Sequence, residues 1–295
     1  MAERWSTRPA PGGGGYPRPV GESDLSQLAQ GVYAWIDPHP GPGRPNAGAV
    51  IDVDGVTVID TLCVPSQYGP FGVAVDALGF PVPRIALTGD HIEYVGGTVR
   101  FAMAAIFGSP ATSAHLDQPP NPDIYRRLFP DLAAEFDDEL RTRPVSHVVA
   151  EPVQLTPAVF ALPVAGQAPT NLVLLVPDAD VLFAGAFCSF GVTPLAFDGD
   201  PGAWADTLDD LATAAGTIVP GHGPVGGPDQ VAELQGYLRA CVSADGDPDA
   251  IGPGPWDAWP GRHADAINVE RAALLNRGDQ GVPPSMLRLA GLVDD

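Results

Sequence analysis

The stretch 217-TIVPGHGPVGG-227 is a short apolar run that stops at a Gly-Pro-rich loop with one histidine, His222, at its apex. The segment after it, 228-PDQVAELQGYLRAC-241, repeats apolar side chains at helical spacing through Val231, Leu234, Leu238 and Cys241. Strand, loop and helix in that order hold a loop residue at the edge of a sheet, where functional side chains concentrate. His222 is thereby the first candidate site residue.

Working outward, 201-PGAWADTLDDLATAAG-216 predicts a helix with Trp204, Leu208 and Leu211 on one face, behind a proline suited to a helix start. Before it, 172-LVLLVPDADVLFAG-185 predicts a hairpin of two apolar runs around Pro-Asp-Ala-Asp. A second hairpin is predicted in 48-GAVIDVDGVTVIDT-61, where Asp54-Gly55 tolerates the positive φ of a tight turn. Between the hairpins, 85-IALTGDHIEYVGGTVRF-101 runs from an apolar strand into a turn crowded with Asp90, His91, Glu93 and Tyr94, then into Gly96-Gly97. Residues 118–148 read as a charged helical lid or insertion, and 245–262 as loop. The last thirty residues read as helical from near Ala264, with Val269, Ala272 and Leu275 on one side. Residues 1–20 are rich in Pro and Gly, without periodicity, and read as a flexible arm ahead of a single domain spanning 21–295.

Composition sets limits on partners. Fifteen basic residues, all arginine, stand against 36 acidic ones, for a formal net charge of −21. Nucleic acid requires a basic track that displaces counterions, and this surface would repel it. An anionic membrane is disfavoured for the same reason. No apolar run approaches the roughly 20 residues of a spanning helix, and the first residues lack the apolar segment of a secretory signal. The expected location is the cytoplasm. The partner expected is a small molecule, with a second copy of the chain, as a homodimer, the one macromolecular partner left open. Cys63, Cys188 and Cys241 are odd in number and without C-x-x-C spacing, so neither a disulfide framework nor a structural zinc knot is indicated.

In their order, 31-GVYAWIDP-38 with Asn46, 58-VIDT-61, 87-LTGDHIEYVGG-97, 181-VLFAGAF-187 and 219-VPGHGP-224 resemble the landmarks of the metallo-β-lactamase-fold hydrolase superfamily, over roughly residues 30–240. The resemblance implies an α/β chain folded as a four-layer αββα sandwich with a metal centre along one edge of its two sheets. That family builds the centre from a Thr-His-x-His-x-Asp-His turn before Gly-Gly, a later histidine, an aspartate after a strand and the Gly-His-Gly histidine. Such donors hold one or two divalent ions, which generate hydroxide from water near neutral pH.

Aligned on Gly96-Gly97, this chain has Gly89 at the first histidine, His91 at the second, Glu93 at the aspartate and Tyr94 at the third histidine. Gln167 falls at the later histidine and Ala186 at the bridging aspartate, while His222 is unaltered. The expected site is therefore a divergent one that has lost most metal ligands. His91 and His222 are its acid–base candidates, with Glu93 to orient a histidine or take up a proton. Tyr94 donates a proton, steadies an oxyanion or fills the volume of a lost metal. Asp90, Gln167, Asn171, Ala186 and Cys188 are the expected substrate contacts. Gly89 and Ala186 are expected to leave space in the pocket. The expected cofactor is none. The alternative alignment takes Asp90-His91 as the family's Asp-His pair, so that one zinc or iron would sit on His91, Glu93 or Asp90, and His222. The remaining histidines, His39, His115, His147 and His263, read as structural.

Without hydroxide on a metal, a pocket of imidazoles, carboxylate, phenol and amide suits proton transfer. The leading expectation is a metal-independent lyase, cyclase or isomerase acting on a small organic molecule, with natural-product biosynthesis as its setting. The alternatives are a single-metal hydrolase of an ester, thioester or lactam, and a catalytically inactive binding protein.

Overall fold

Residues 24–294 are described by the structure, a computed structural model. The arm read over residues 1–20 lies outside them. Strands β1 (Asp24–Ala29), β2 (Val32–Ile36), β3 (Ala47–Asp52) and β4 (Gly55–Ile59) form an antiparallel meander, extended in parallel by β5 (Arg84–Ala86), β6 (Ala105–Gly108) and β7 (His147–Val148). The second sheet runs through β8 (Val153–Gln154), β9 (Phe160–Val164), β10 (Asn171–Val176) and β11 (Val181–Ser189), all antiparallel, to β12 (Thr217–His222), which lies parallel to β11. The helices are α1 (Pro65–Asp76), α2 (Ile92–Val95), α3 (Pro110–Leu116), α4 (Pro122–Leu128), α5 (Pro201–Leu211), α6 (Pro228–Ser243), α7 (Asp265–Asn276) and α8 (Pro284–Leu289).

Period-two alternation produces the layering. Along β10, Leu172, Leu174 and Val176 face the first sheet, where they pack with Val32, Ala34, Val50 and Ile59. Val173, between them, points outward with Leu182 and Ile218 onto Trp204, Leu208, Leu234 and Leu238 of α5 and α6. On the opposite side Val56, Val58 and Ile85 meet Phe71 and Val75 of α1. The result is helices, sheet, sheet, helices, the αββα order expected. Both hairpins and both helical faces read from the sequence are present.

Two readings are corrected. The 118–148 stretch is helical only to Glu135, as α4 and a 3-10 turn over Pro130–Glu135. Proline after Phe129 disfavours the helical region there, and Phe129 turns out at φ −128° and ψ 69°. Near the C-terminus α7 ends at Asn276 and buries Ile267, Asn268, Val269, Arg271, Ala272 and Ala273, so its inner face is partly polar and Leu275 is only half-buried. Strand β11 runs to Ser189, so Cys188 lies inside it. Among the described residues no helix is long and apolar enough to cross a membrane.

Candidate active site

The turn after β5 is tied down from both ends. The Asp60 carboxylate accepts hydrogen bonds from the Thr88 amide, 2.8 Å, and the Thr88 hydroxyl, 2.6 Å. Thr88 Oγ1 in turn accepts from the Ala186 amide, 3.0 Å, beside a bulge where Gly185 takes φ +48° and a side chain would strike Thr88. At the far end Gly96 and Gly97 press on the carbonyl oxygens of Cys63 and Thr61, so only glycine fits either position. Asn46 locks the opposite loop: its Nδ2 donates to the carbonyls of Pro220, 2.9 Å, and Gly223, 2.8 Å, on either side of His222.

Burial raises the Asp60 carboxyl to about 7 even though the two Thr88 bonds act to lower it. A folded-state value above the unfolded one means that this group's contribution to stability is fully present below the unfolded pKa and is lost as pH rises through 7. We expect wild type minus Asp60→Asn, compared by urea unfolding at pH 4 and pH 8, to fall by up to about 4 kcal/mol on going to pH 8. A difference that does not change with pH would mean the carboxyl ionises normally.

These anchors bring His91, Glu93, Tyr94, Gln167, Ala186, Cys188 and His222 around one pocket of about 110 Å³. His222 Nδ1 donates to the Arg44 carbonyl, 3.2 Å; a carbonyl only accepts, so Nδ1 carries the hydrogen and Nε2 is the exchanging nitrogen. That Nε2 lies 3.4 Å from Glu93 Oε1, which also accepts from the Gly43 amide at 2.5 Å. His91 forms a second histidine–carboxylate pair, Nε2 to Asp198 Oδ2 at 3.9 Å, with its ring stacked on Phe197 at 5.3 Å. His91 Nε2 and Asp198 Oδ1 are buried and have no hydrogen-bond partner among the described residues. Burial alone would depress His91, but Asp198, with Asp90 and Glu93 behind it, raises it to about 9. At neutral pH His91 is an imidazolium. Burial and the Glu93 charge push the Tyr94 phenol well above its ordinary range, so Tyr94 remains a neutral donor, set edge-on to His222 at 6.0 Å. Burial pushes the Cys188 thiol up as well, which removes it as a nucleophile.

Two expected substrate contacts are not in the pocket lining. Asn171 is fully buried behind Gln167: its Nδ2 donates to Gln167 Oε1, 2.9 Å, and to the Thr88 carbonyl, 3.3 Å, while its Oδ1 accepts from the Ala168 amide, 3.0 Å. Every polar atom of that side chain is committed to holding the turn. Asp90 has its Oδ2 3.5 Å from His115 Nδ1 and does not line the pocket. The space expected at Gly89 is also absent, since a Cβ there would lie 2.7 Å from Ala186 Cβ and 3.4 Å from Asn171 Nδ2. Conversely His263, read as structural, lines the pocket, as does Thr193; Asp198 and Phe197 were not singled out in the sequence at all.

The fold family's pair of metal ions does not fit these residues. No side chain could extend from position 89, Gln167 spends its oxygen on Asn171, and Ala186 is apolar. Nor does the trio of His91, Glu93 or Asp90, and His222 converge. Among the described residues, the three donors that gather within 4.8 Å of one another are Asp90, His91 and Asp198.

No protein-family model matches the chain. Solved structures do. The metallo-β-lactamase VMB-1, crystallised at pH 5.5, superposes with a TM-score of 0.60 at 17% identity, over 76% of this chain and 100% of that one. The metallo-β-lactamase from Erythrobacter litoralis, with β-mercaptoethanol in its active site, gives 0.58 at 20% identity, over 75% of this chain and 98% of that one. FIM-1 from Pseudomonas aeruginosa, in its mono-zinc form, gives 0.57 at 16% identity, over 75% and 98%. With its sheet order, its Gly-His-Gly loop and these neighbours agreeing, the chain has the metallo-β-lactamase fold.

Proposed function

We propose that this protein is a metal-independent acid–base enzyme of the lyase, cyclase or isomerase type, acting on a small carbonyl compound of specialised metabolism. The observation that carries this reading is that two histidine–carboxylate pairs, His222–Glu93 and His91–Asp198, open on one largely apolar pocket. We assign the two pairs different roles: His222, whose Nδ1 is engaged by the Arg44 carbonyl, is the base through Nε2, and His91, raised to about 9 by the carboxylates around it, is the acid. One base and one acid are what proton abstraction beside a carbonyl requires.

His222 Nε2 removes the proton from the carbon next to the carbonyl, and Glu93 stabilises the imidazolium that forms. The electron pair of the broken C–H bond moves to the carbonyl oxygen, which takes a proton from His91 to give an enol. In a conjugated enol, return of the His222 proton to a different carbon while the O–H proton goes back to His91 completes an isomerisation. Return of the O–H proton to His91 while a group on the adjacent carbon leaves with its bonding pair completes an elimination. Tyr94 and Gln167 supply further polar contacts to the oxygen-bearing end.

The test is deuterium uptake from D₂O at the carbons flanking the carbonyl of small cyclic and open-chain ketones, followed by proton NMR. Wild type is expected to exchange at least one of them, and a His91→Gln/His222→Gln double variant none. Equal exchange by both proteins would overturn the reading, and ketones that bind without exchanging would mark a binding protein. A second reading is favoured by the gathering of Asp90, His91 and Asp198, which could hold one divalent cation in a hydrolase. Elemental analysis of protein purified without added metal separates the two. One equivalent of metal, removed by chelator together with activity, would replace the first reading.

A further inference from the structure

Part of the pocket lining is built by parts of the chain beyond the landmarks it shares with the fold. Leu128 and Phe129 come from the end of α4, Thr193 and Leu195 from the loop after β11, and Ala264 and Leu289 from the C-terminal helices. Within that apolar surface Thr193 is 8% exposed, and its hydroxyl is buried without a hydrogen-bond partner among the described residues. An unpaired buried hydroxyl carries a free-energy cost, and a threonine there is as costly to fold as it is useful only if something else completes the bond. The rest of the residue is fixed: the Thr193 amide donates to the Pro260 carbonyl, 3.0 Å.

The loop that carries Thr193 is clamped from behind by α7. Asn268, fully buried, accepts from the Ala196 amide at 2.9 Å and donates to the Pro194 carbonyl at 2.8 Å. Arg271 donates to the Gly199 carbonyl at 2.7 Å. A pocket residue on a loop braced in this way loses little further freedom when a ligand engages it, which lowers the ordering cost of binding. Among the described residues no arginine lines the pocket, the chain has no lysine, and Glu93 and Asp198 already face histidines. A carboxylate or phosphate would meet no free guanidinium or ammonium, and a cation would compete with two imidazoles for their carboxylates. An enclosed apolar cavity of about 150 Å³ holds a benzene ring. A pocket of about 110 Å³ that opens to solvent therefore takes a five- or six-membered ring or a chain of that bulk.

We propose that Thr193 and the apolar wall around it form the specificity subsite of this pocket, which takes an uncharged ring compound through one hydrogen bond to the Thr193 hydroxyl. The inference rests on the acid–base reading for what happens next, but not for binding, so the two fail separately.

The experiment measures binding of cyclohexanone, cyclohexene, cyclohexylamine and cyclohexanecarboxylate to the full chain by protein-detected NMR. Wild type is expected to prefer cyclohexanone to the other three. Thr193→Val replaces the hydroxyl by a methyl of the same shape, and is expected to weaken cyclohexanone about tenfold while leaving cyclohexene within about twofold. Thr193→Ser is expected to restore the preference for the ketone. Because the hydroxyl is unpaired in the free protein, Thr193→Val should melt no lower than wild type. Tighter binding of the amine or the carboxylate, equal binding of ketone and alkene, an unaltered ketone affinity in Thr193→Val, or no binding of any probe would each overturn the proposal. Ketone binding that depends on Thr193 without deuterium exchange would uphold the subsite and overturn the acid–base reading. Exchange that does not depend on Thr193 would do the reverse.

Discussion

Replacing His222 by glutamine is expected to lower deuterium exchange at a bound ketone by roughly 10²–10⁴-fold, the range that a positioned general base contributes. Glutamine preserves a donor toward the Arg44 carbonyl, so the loop between the Pro220 and Gly223 carbonyls, both held by Asn46, stays in place. What disappears is the Nε2 lone pair. Glu93→Gln is expected to cost less: an amide oxygen still accepts from the Gly43 amide, and only the charge that supports the His222 imidazolium is removed. Melting temperatures close to wild type in both variants, with ketone affinity unchanged, would assign the losses to the chemical step. A His222→Gln protein that exchanges at the wild-type rate would remove His222 as the base.

The parts of this molecule legible in the sequence are those that short-range rules determine. The hairpin at Asp54-Gly55, the alternation of Leu172, Val173 and Leu174, and the spacing of Trp204, Leu208 and Leu211 each need only a few neighbouring residues to declare their periodicity. The Gly96-Gly97 pair and the Pro-Gly-His-Gly-Pro loop are legible because the backbone packs so closely there that other residues are excluded. Half of the site escapes such rules. Asp198 and Phe197 meet His91 only because the loop after β11 folds back over the turn, and no spacing along the chain announces that approach. Thr193 and His263 are ordinary loop residues until α7 packs against the second sheet. Asn171 shows the opposite error. An amide near the site suggests a ligand contact, but the Thr88, Gln167 and Ala168 groups around it engage both its donor hydrogens and its oxygen.

The second large effect is one of pH, and it turns on Asp198. Two opposing influences act on His91: burial favours the neutral ring, and Asp198, Asp90 and Glu93 favour the imidazolium strongly enough to raise it from 6.5 to about 9. The group therefore adds stability that is fully present below 6.5 and lost as pH rises through 9, a contribution of up to about 3 kcal/mol. As the acid of the proposed reaction, His91 must be protonated, so exchange is expected to fall above pH 9 in wild type, in step with the NMR titration of the His91 ring. Asp198→Asn keeps the shape of the pair and removes the charge 3.9 Å from Nε2. Its His91 midpoint is expected to drop by ~1 unit or more, as loss of a close opposite charge requires. The alkaline limb of the exchange profile should move with it. Phe197→Leu, which removes the stacked ring and leaves the carboxylate, should move the limb much less. If the alkaline limb stays at the same pH in Asp198→Asn while the NMR midpoint of His91 falls, some other group delivers the proton. If neither moves, the two side chains are not an ion pair in solution, and the acid half of the mechanism goes with it.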